Sequence, residues 1–237
     1  MKLSEQVAVV TGASRGLGFE IAKAYANRGA NLVIAARDED ALRTAEEELL
    51  KRTDVVAKAL DVSQDAESLI EAGLARFGRI DVLVNNASEL GPSPMPALDA
   101  YPWQDLERVY RVNVLAPLHL AQLVLPGMRE RGAGVIINVS SDAGVEAYPG
   151  WGGYGSSKAA LEHISRTLAA ELEGTGVRVY TVDPGDMNTE MHRQAEPGVD
   201  LSDLPWPEAS APAFVTLAED TPESGRFQAS ELASAAQ

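Results

Sequence analysis

Val7-Ala8-Val9-Val10 is an unbroken apolar run that leads directly into Thr11-Gly12-Ala13-Ser14-Arg15-Gly16-Leu17-Gly18, and a helical pattern follows over residues 19–28. Apolar residues without polar alternation read as a strand covered on both faces, the condition of strands in a parallel sheet. A strand, a glycine-rich turn and a helix in that order form the context of a dinucleotide-binding site. Glycine permits the tight turn and lets backbone N–H groups approach a pyrophosphate, whose charge the helix N-terminus favours. On this reading Gly12, Ser14, Arg15, Gly16, Leu17 and Gly18 make up the phosphate-binding turn. The spacing is G-x-x-x-G-x-G rather than the commoner G-x-G-x-x-G.

The alternation continues down the chain. Further strands are expected at residues 31–35, 55–60, 80–84, 135–139 and 177–182, with a short last one at 226–229. Helical patterns separate them at 39–52, 64–77, 103–131 and 154–173, and a final helix is expected at 208–218. Asp38 is placed to cap the second helix. Pro117 is expected to distort the 103–131 helix locally. Strictly alternating strands and helices with short loops predict an α/β fold: one Rossmann-type, doubly wound parallel sheet of about seven strands, with helices on both faces and right-handed crossovers. A single domain spans 1–237. Residues 186–207 are irregular and rich in proline, which reads as a segment covering a substrate.

Charge and cysteine content narrow the function. Asp and Glu number 35 against 20 Lys and Arg, a formal net charge of -15. That balance argues against a nucleic-acid or anionic-membrane surface, whose footprint is basic. With no cysteine, disulfides, zinc–thiolate sites and thiol catalysis are excluded. His119, His163 and His192 are too far apart for an i, i+4 ligand pair, so no metal is expected. No stretch approaches the roughly 18 consecutive apolar residues of a membrane span. Residues 1–6 run straight into the first strand without room for a signal peptide, so a cytoplasmic protein is expected.

Chemistry concentrates in Tyr154-Gly155-Ser156-Ser157-Lys158. At the start of a helix, Tyr154 and Lys158 are four positions apart and share one face. A phenol ordinarily ionises near pH ~10, and a neighbouring ammonium lowers that value toward neutral-pH proton transfer. Ser141, thirteen positions upstream at the end of the 135–139 strand, can bring a second hydroxyl to the same substrate oxygen.

Thr11-Gly12-x-x-x-Gly16-x-Gly18, Asn85-Asn86-Ala87, Asn113, Ser141, Tyr154-x-x-x-Lys158 and Pro184-Gly185 stand in the order and spacing of the short-chain dehydrogenases/reductases, which the chain resembles from the first strand to at least Thr189. The resemblance implies that Tyr154 exchanges a proton with the substrate oxygen while hydride passes between nicotinamide and carbon. It implies that Lys158 lowers the Tyr154 pKa and binds the nicotinamide ribose, that Ser141 (rather than Ser140) polarises the carbonyl, and that Asn113 holds a water linking Lys158 to solvent. It places Asp61 and Val62 against adenine, Asn85 near the adenosine ribose, Ala87 among the cofactor-binding residues, and Pro184, Gly185 and Thr189 at the nicotinamide end.

Members that prefer NAD carry an acidic residue near the end of the second strand. Here Ala36 takes that place and Arg37 follows. Arg37 and Arg15 can clasp a 2′-phosphate, so NADP(H) is favoured and NAD(H) stays open. Two departures from the family pattern stand out. Ser88 replaces the glycine of Asn-Asn-Ala-Gly, and the last strand lacks an Asp-Gly-Gly associated with tetramers. A homo-oligomer, dimer or tetramer, is expected, with Ala159, Ala160, Leu161, Ile164, Leu168 and Ala169 offering a closely packing helix face. Ala143, Val145, Tyr148, Trp151, Met187, Met191 and His192 are the candidate pocket residues, Trp151 being equally readable as loop packing. They point to a small-molecule ketone or aldehyde with its alcohol. The leading reading is an NADP(H)-dependent oxidoreductase. An NAD(H)-dependent alcohol dehydrogenase and a non-catalytic dinucleotide sensor are its rivals.

Overall fold

The computed structural model describes residues 2–235. Seven strands are present among them: β1 (Val7–Thr11), β2 (Asn31–Ala36), β3 (Val55–Ala59), β4 (Val82–Asn85), β5 (Gly134–Val139), β6 (Val177–Asp183) and β7 (Gly225–Gln228). They form one sheet in the order β3-β2-β1-β4-β5-β6-β7, parallel throughout. In register, Val10 stands beside Ile34 on one flank and Val84 on the other. The strand order reverses between β1 and β4, and a crevice opens beyond the carboxyl ends of the strands at such a switch point.

Period-2 alternation along each strand feeds two separate cores. Ala8 and Val10 point into one, with Ile21, Tyr25, Ile34 and Phe214; Val7 and Val9 point into the other, with Leu69, Leu83, Leu120 and Ile136. The first core is closed by α1 (Gly16–Asn27) and α8 (Ala211–Asp220), the second by α3 (Ala66–Phe77) and α5 (Ala116–Arg131). Each fully buried Leu, Ile or Phe contributes about 1.5–3 kcal/mol relative to exposure. Tyr25 is fully buried, and its phenol donates to the Phe214 carbonyl at 3.0 Å, joining α1 to α8.

The remaining helices are α2 (Glu39–Leu49), α4 (Trp103–Tyr110), α6 (Gly152–Glu171), α7 (Glu190–Ala195) and α9 (Ala229–Ala235). Asp38 caps α2 as expected, accepting from the Ala41 N–H at 3.1 Å. Three elements go beyond expectation. The 103–131 helix is interrupted by a π turn at Arg111–Leu115. Pro117 stands just after it in a helix that runs on without a break, and its missing N–H removes one donor from the ladder there, in keeping with the local distortion expected at this proline. Residues 186–207 contain α7, capped by Thr189, and α9 follows β7 directly. Among the described residues, no helix is long and apolar enough to cross a membrane.

Candidate active site

The crevice at the β1/β4 switch point is a cavity of about 720 Å³. The turn between β1 and α1 makes one wall. Gly12 and Gly16 adopt φ of 66° and 58°, left-handed conformations that other residues rarely take. A Cβ on Gly16 would meet nothing within 4 Å, so its backbone faces open space. The first turn of α1 carries no acidic residue, which leaves its positive end free for an anion. The first turn of α2, by contrast, holds Glu39 and Asp40. Ser14, Arg15 and Leu17 line the cavity beside the glycines. Ala36 and Arg37 from the end of β2, Asp61 and Val62 after β3, and Asn86, Ala87, Ser88 and Glu89 after β4 complete the nucleotide side. Arg15 is exposed and makes no ion pair among the described residues. Arg37 Nη1 pairs with Glu89 Oε2 at 3.1 Å across the cavity mouth.

Tyr154 and Lys158 lie on the buried face of α6, in the same cavity. Lys158 Nζ donates to the Val139 carbonyl at 2.7 Å and stands 5.4 Å from the Tyr154 ring centre. Burial pushes the lysine down from its ordinary 10.5 to about 8. Burial also raises the Tyr154 phenol; the Ser88 hydroxyl beside it draws it back in part, while Asp142 and Asp183 add to the rise. Burial is the largest influence on the phenol, and the Lys158 ammonium is engaged with the Val139 carbonyl.

Asn113 sits in the π turn and is 1% exposed. Its Oδ1 accepts from the Glu89 N–H at 2.7 Å and from Ser88 Oγ at 3.1 Å. Its Nδ2 donates to the Glu89 carbonyl and to Ser157 Oγ, both at 2.9 Å. The side chain is thus fully used in tying the β4 loop to α6, and it has no free donor or acceptor for the expected water. Ser140 donates to Glu162 Oε1 at 2.6 Å. Ser141 accepts from the Ala143 N–H at 3.2 Å and donates to Asp142 at 2.9 Å, on the wall of a second cavity.

That second cavity, of about 290 Å³, adjoins the first. Tyr154, Ser140, Leu90, Pro184, Met187, Thr189 and Met191 line both. Ala143, Tyr148, Trp151, Met187, Met191 and His192 are brought together here, as expected from sequence. Trp151 packs edge-on to Tyr154 with ring centres 5.9 Å apart. Asp142, Asp186 and Glu196 give the wall a carboxylate side, with His192 Nε2 3.3 Å from Glu196.

The family model described as short chain dehydrogenase matches residues 6–200. The chain is a short-chain dehydrogenase. It is 33% identical over 198 residues to the 7alpha-hydroxysteroid dehydrogenase of Escherichia coli, covering 80% of this chain and 74% of that one. A Pseudomonas syringae structure assigned to the short chain dehydrogenases superposes with a TM-score of 0.88 at 34% identity, over 96% of both chains. One from Shigella flexneri, solved in complex with NADP, superposes at 0.86 with 29% identity over 95% of this chain and 97% of that one. This short-chain dehydrogenase is an NAD(P)-dependent oxidoreductase on a Rossmann-type fold.

The cleft suits a dinucleotide: left-handed glycines, an uncompensated helix end and a long cavity stand together. Some of the expected residues lie elsewhere. Asn85 is off the wall because its amide donates to Asn138 Oδ1 at 2.7 Å, inside the sheet. Gly18 is off it too; a methyl there would run into the Gly12 carbonyl and the Asn86 amide, so it permits close packing. Gly185 lines the smaller cavity and not the larger, while Pro184 and Thr189 line both. Val145 is exposed and lines neither cavity. Sequence reasoning missed the contacts of Ser88 and Glu89. The only signal was an acidic residue next to a departure from the family's glycine.

Proposed function

We propose that this dehydrogenase interconverts a neutral carbonyl compound and its alcohol using NADP(H), with Tyr154 as the proton-transfer residue. The observation that carries the reading is the position of Tyr154, whose side chain borders both cavities. A nucleotide in the larger cavity and a substrate in the smaller one would meet at its hydroxyl.

When bound, the nicotinamide supplies or accepts the hydride. Toward the alcohol, the phenol gives its proton to the developing alkoxide oxygen; toward the carbonyl, the phenolate removes it. Burial keeps the phenol protonated, so it is poised as the acid. Lys158, near 8, changes protonation close to physiological pH and re-protonates the tyrosine. Ser141 orients the carbonyl oxygen from the smaller cavity, and Asn113 holds the Ser88–Glu89 loop against α6. The apolar wall of Trp151, Met187 and Met191 favours a hydrocarbon body. Asp142, Asp186 and Glu196 disfavour an anionic one. Residues 186–207 cover this substrate, since Met187, Thr189, Met191 and His192 all border the pocket.

Arg37 and Arg15 favour the 2′-phosphate of NADP(H). The Glu89 carboxylate on Arg37 is what speaks for the NAD(H) reading. Titration with NADPH and NADH, followed by nicotinamide fluorescence, separates the two. Tyr154→Phe tests the chemistry. Turnover should fall about 10²- to 10⁴-fold with nucleotide binding retained, and unchanged turnover refutes the role.

A further inference from the structure

Arg37 is not a free anion site. Its side chain is 63% exposed, yet Nη1 lies 3.1 Å from Glu89 Oε2, on a side chain only 16% exposed. The two residues come from opposite sides of the nucleotide cavity, Arg37 following β2 and Glu89 the loop after β4. The backbone N–H and carbonyl of Glu89 are both held by the Asn113 amide, at 2.7 and 2.9 Å. The carboxylate is therefore presented by a rigid support. A second cation stands behind it, for Arg108 Nε is 3.8 Å from Glu89 Oε1 while Nη1 of the same residue is paired with Asp105 at 2.8 Å.

We infer that Glu89 is a specificity-determining residue for the nucleotide, competing with the 2′-phosphate for Arg37; the inference rests on the proposed phosphate-binding role of that arginine. Two anions cannot share one guanidinium without repelling each other across a few ångströms. A nucleotide carrying the phosphate has to take Arg37 from the carboxylate, and Arg108 is placed to receive the Glu89 that is released. A nucleotide with a bare 2′-hydroxyl leaves the Arg37–Glu89 pair in place. The carboxylate thus narrows a preference that Arg37 and Arg15 alone would make steep. It does so from the β4 loop, while Asp38, the acidic residue that follows Arg37 and also lines the cavity, caps α2.

Glu89→Gln keeps the shape and the Asn113 contacts and removes the charge. The readout is the ratio of NADH to NADPH dissociation constants, measured by nicotinamide fluorescence on the full-length protein. Removing the competitor should raise that ratio by roughly 5- to 10-fold in favour of NADPH, with melting behaviour close to the parent. In the Arg37→Ala background the same substitution should change the ratio by less than about 2-fold, because the contested group is gone. An unaltered ratio in Glu89→Gln, while Arg37→Ala alone still shifts it toward NADH, overturns this inference and spares the NADP(H) reading. If Arg37→Ala leaves the ratio unaltered as well, both fall.

Discussion

Ser88 stands where the family pattern has glycine, and its hydroxyl joins two functional groups: it donates to Asn113 and lies beside the Tyr154 phenol. Its effect on that phenol is downward, against burial. Ser88→Ala should therefore move the rising limb of the alcohol-oxidation pH–rate profile to higher pH, since the phenolate that acts as base forms less readily. A pH–rate profile at saturating nucleotide measures this, and a superimposable profile counts against it.

Lys158 offers a stability test whose sign is fixed by its direction. Its folded pKa, about 8, lies below the ordinary 10.5, so between those values the unfolded chain binds more protons than the folded one. Stability must then rise with pH across that window through this group, and the contribution ends once both states are neutral. The difference in unfolding free energy between the parent and Lys158→Met should accordingly change in the parent's favour from pH 8 to 10. Denaturant titrations of the two proteins at several pH values follow it.

Among the elements, the π turn at Arg111–Leu115 matters most. It carries an amide with four partners, spread over the β4 loop and α6. Asn113→Ala leaves buried groups on both unpaired, at a cost of about 2–4 kcal/mol. For a domain of this length that is a loss of roughly 5–15 °C in melting temperature. A calorimetric scan decides the matter, and a drop under 2 °C would show that water replaces the amide without loss. Only part of this was legible in the sequence, which marked Asn113 and a distortion near Pro117 but not the turn's partners. The spacing marked Asn113 as a site residue, but a π turn leaves no signature in hydrophobic period, and periodicity over 103–131 was continuous. Strands were legible because both faces are covered and the runs are unbroken. The glycine turn was legible because a left-handed backbone restricts residue choice. The pocket residues also came together as expected, because α7 and the loop before α6 close over one end of the sheet. What stayed hidden were pairings between distant segments, such as Asn85 with Asn138 or Arg37 with Glu89, which no local pattern encodes.

For the whole molecule, the face of α6 corrects the expected interface. Leu161 is buried within the subunit, and Leu168 and Ala169 pack on its core. Ser156 and Ala159 face outward. We propose that homo-oligomerisation uses this outward face, on which Ala159→Arg should convert the assembly to a smaller species in sedimentation velocity. An unchanged sedimentation coefficient would remove α6 from the interface. The other global feature is the bracket made by β7. Arg226 reaches Glu162 of α6 at 2.9 Å and Asp183 of β6 at 3.1 Å, both carboxylates being nearly inaccessible. Glu162 also accepts from Ser140, and Asp183 borders the smaller cavity. The bracket has a consequence for synthesis. The chain is made from its N-terminus onward, and the two acids beside Ser140 and the smaller cavity remain without their cation until residue 226 has emerged. The nucleotide half of the molecule can close early, while the charge beside the smaller cavity is neutralised only once β7 has been made.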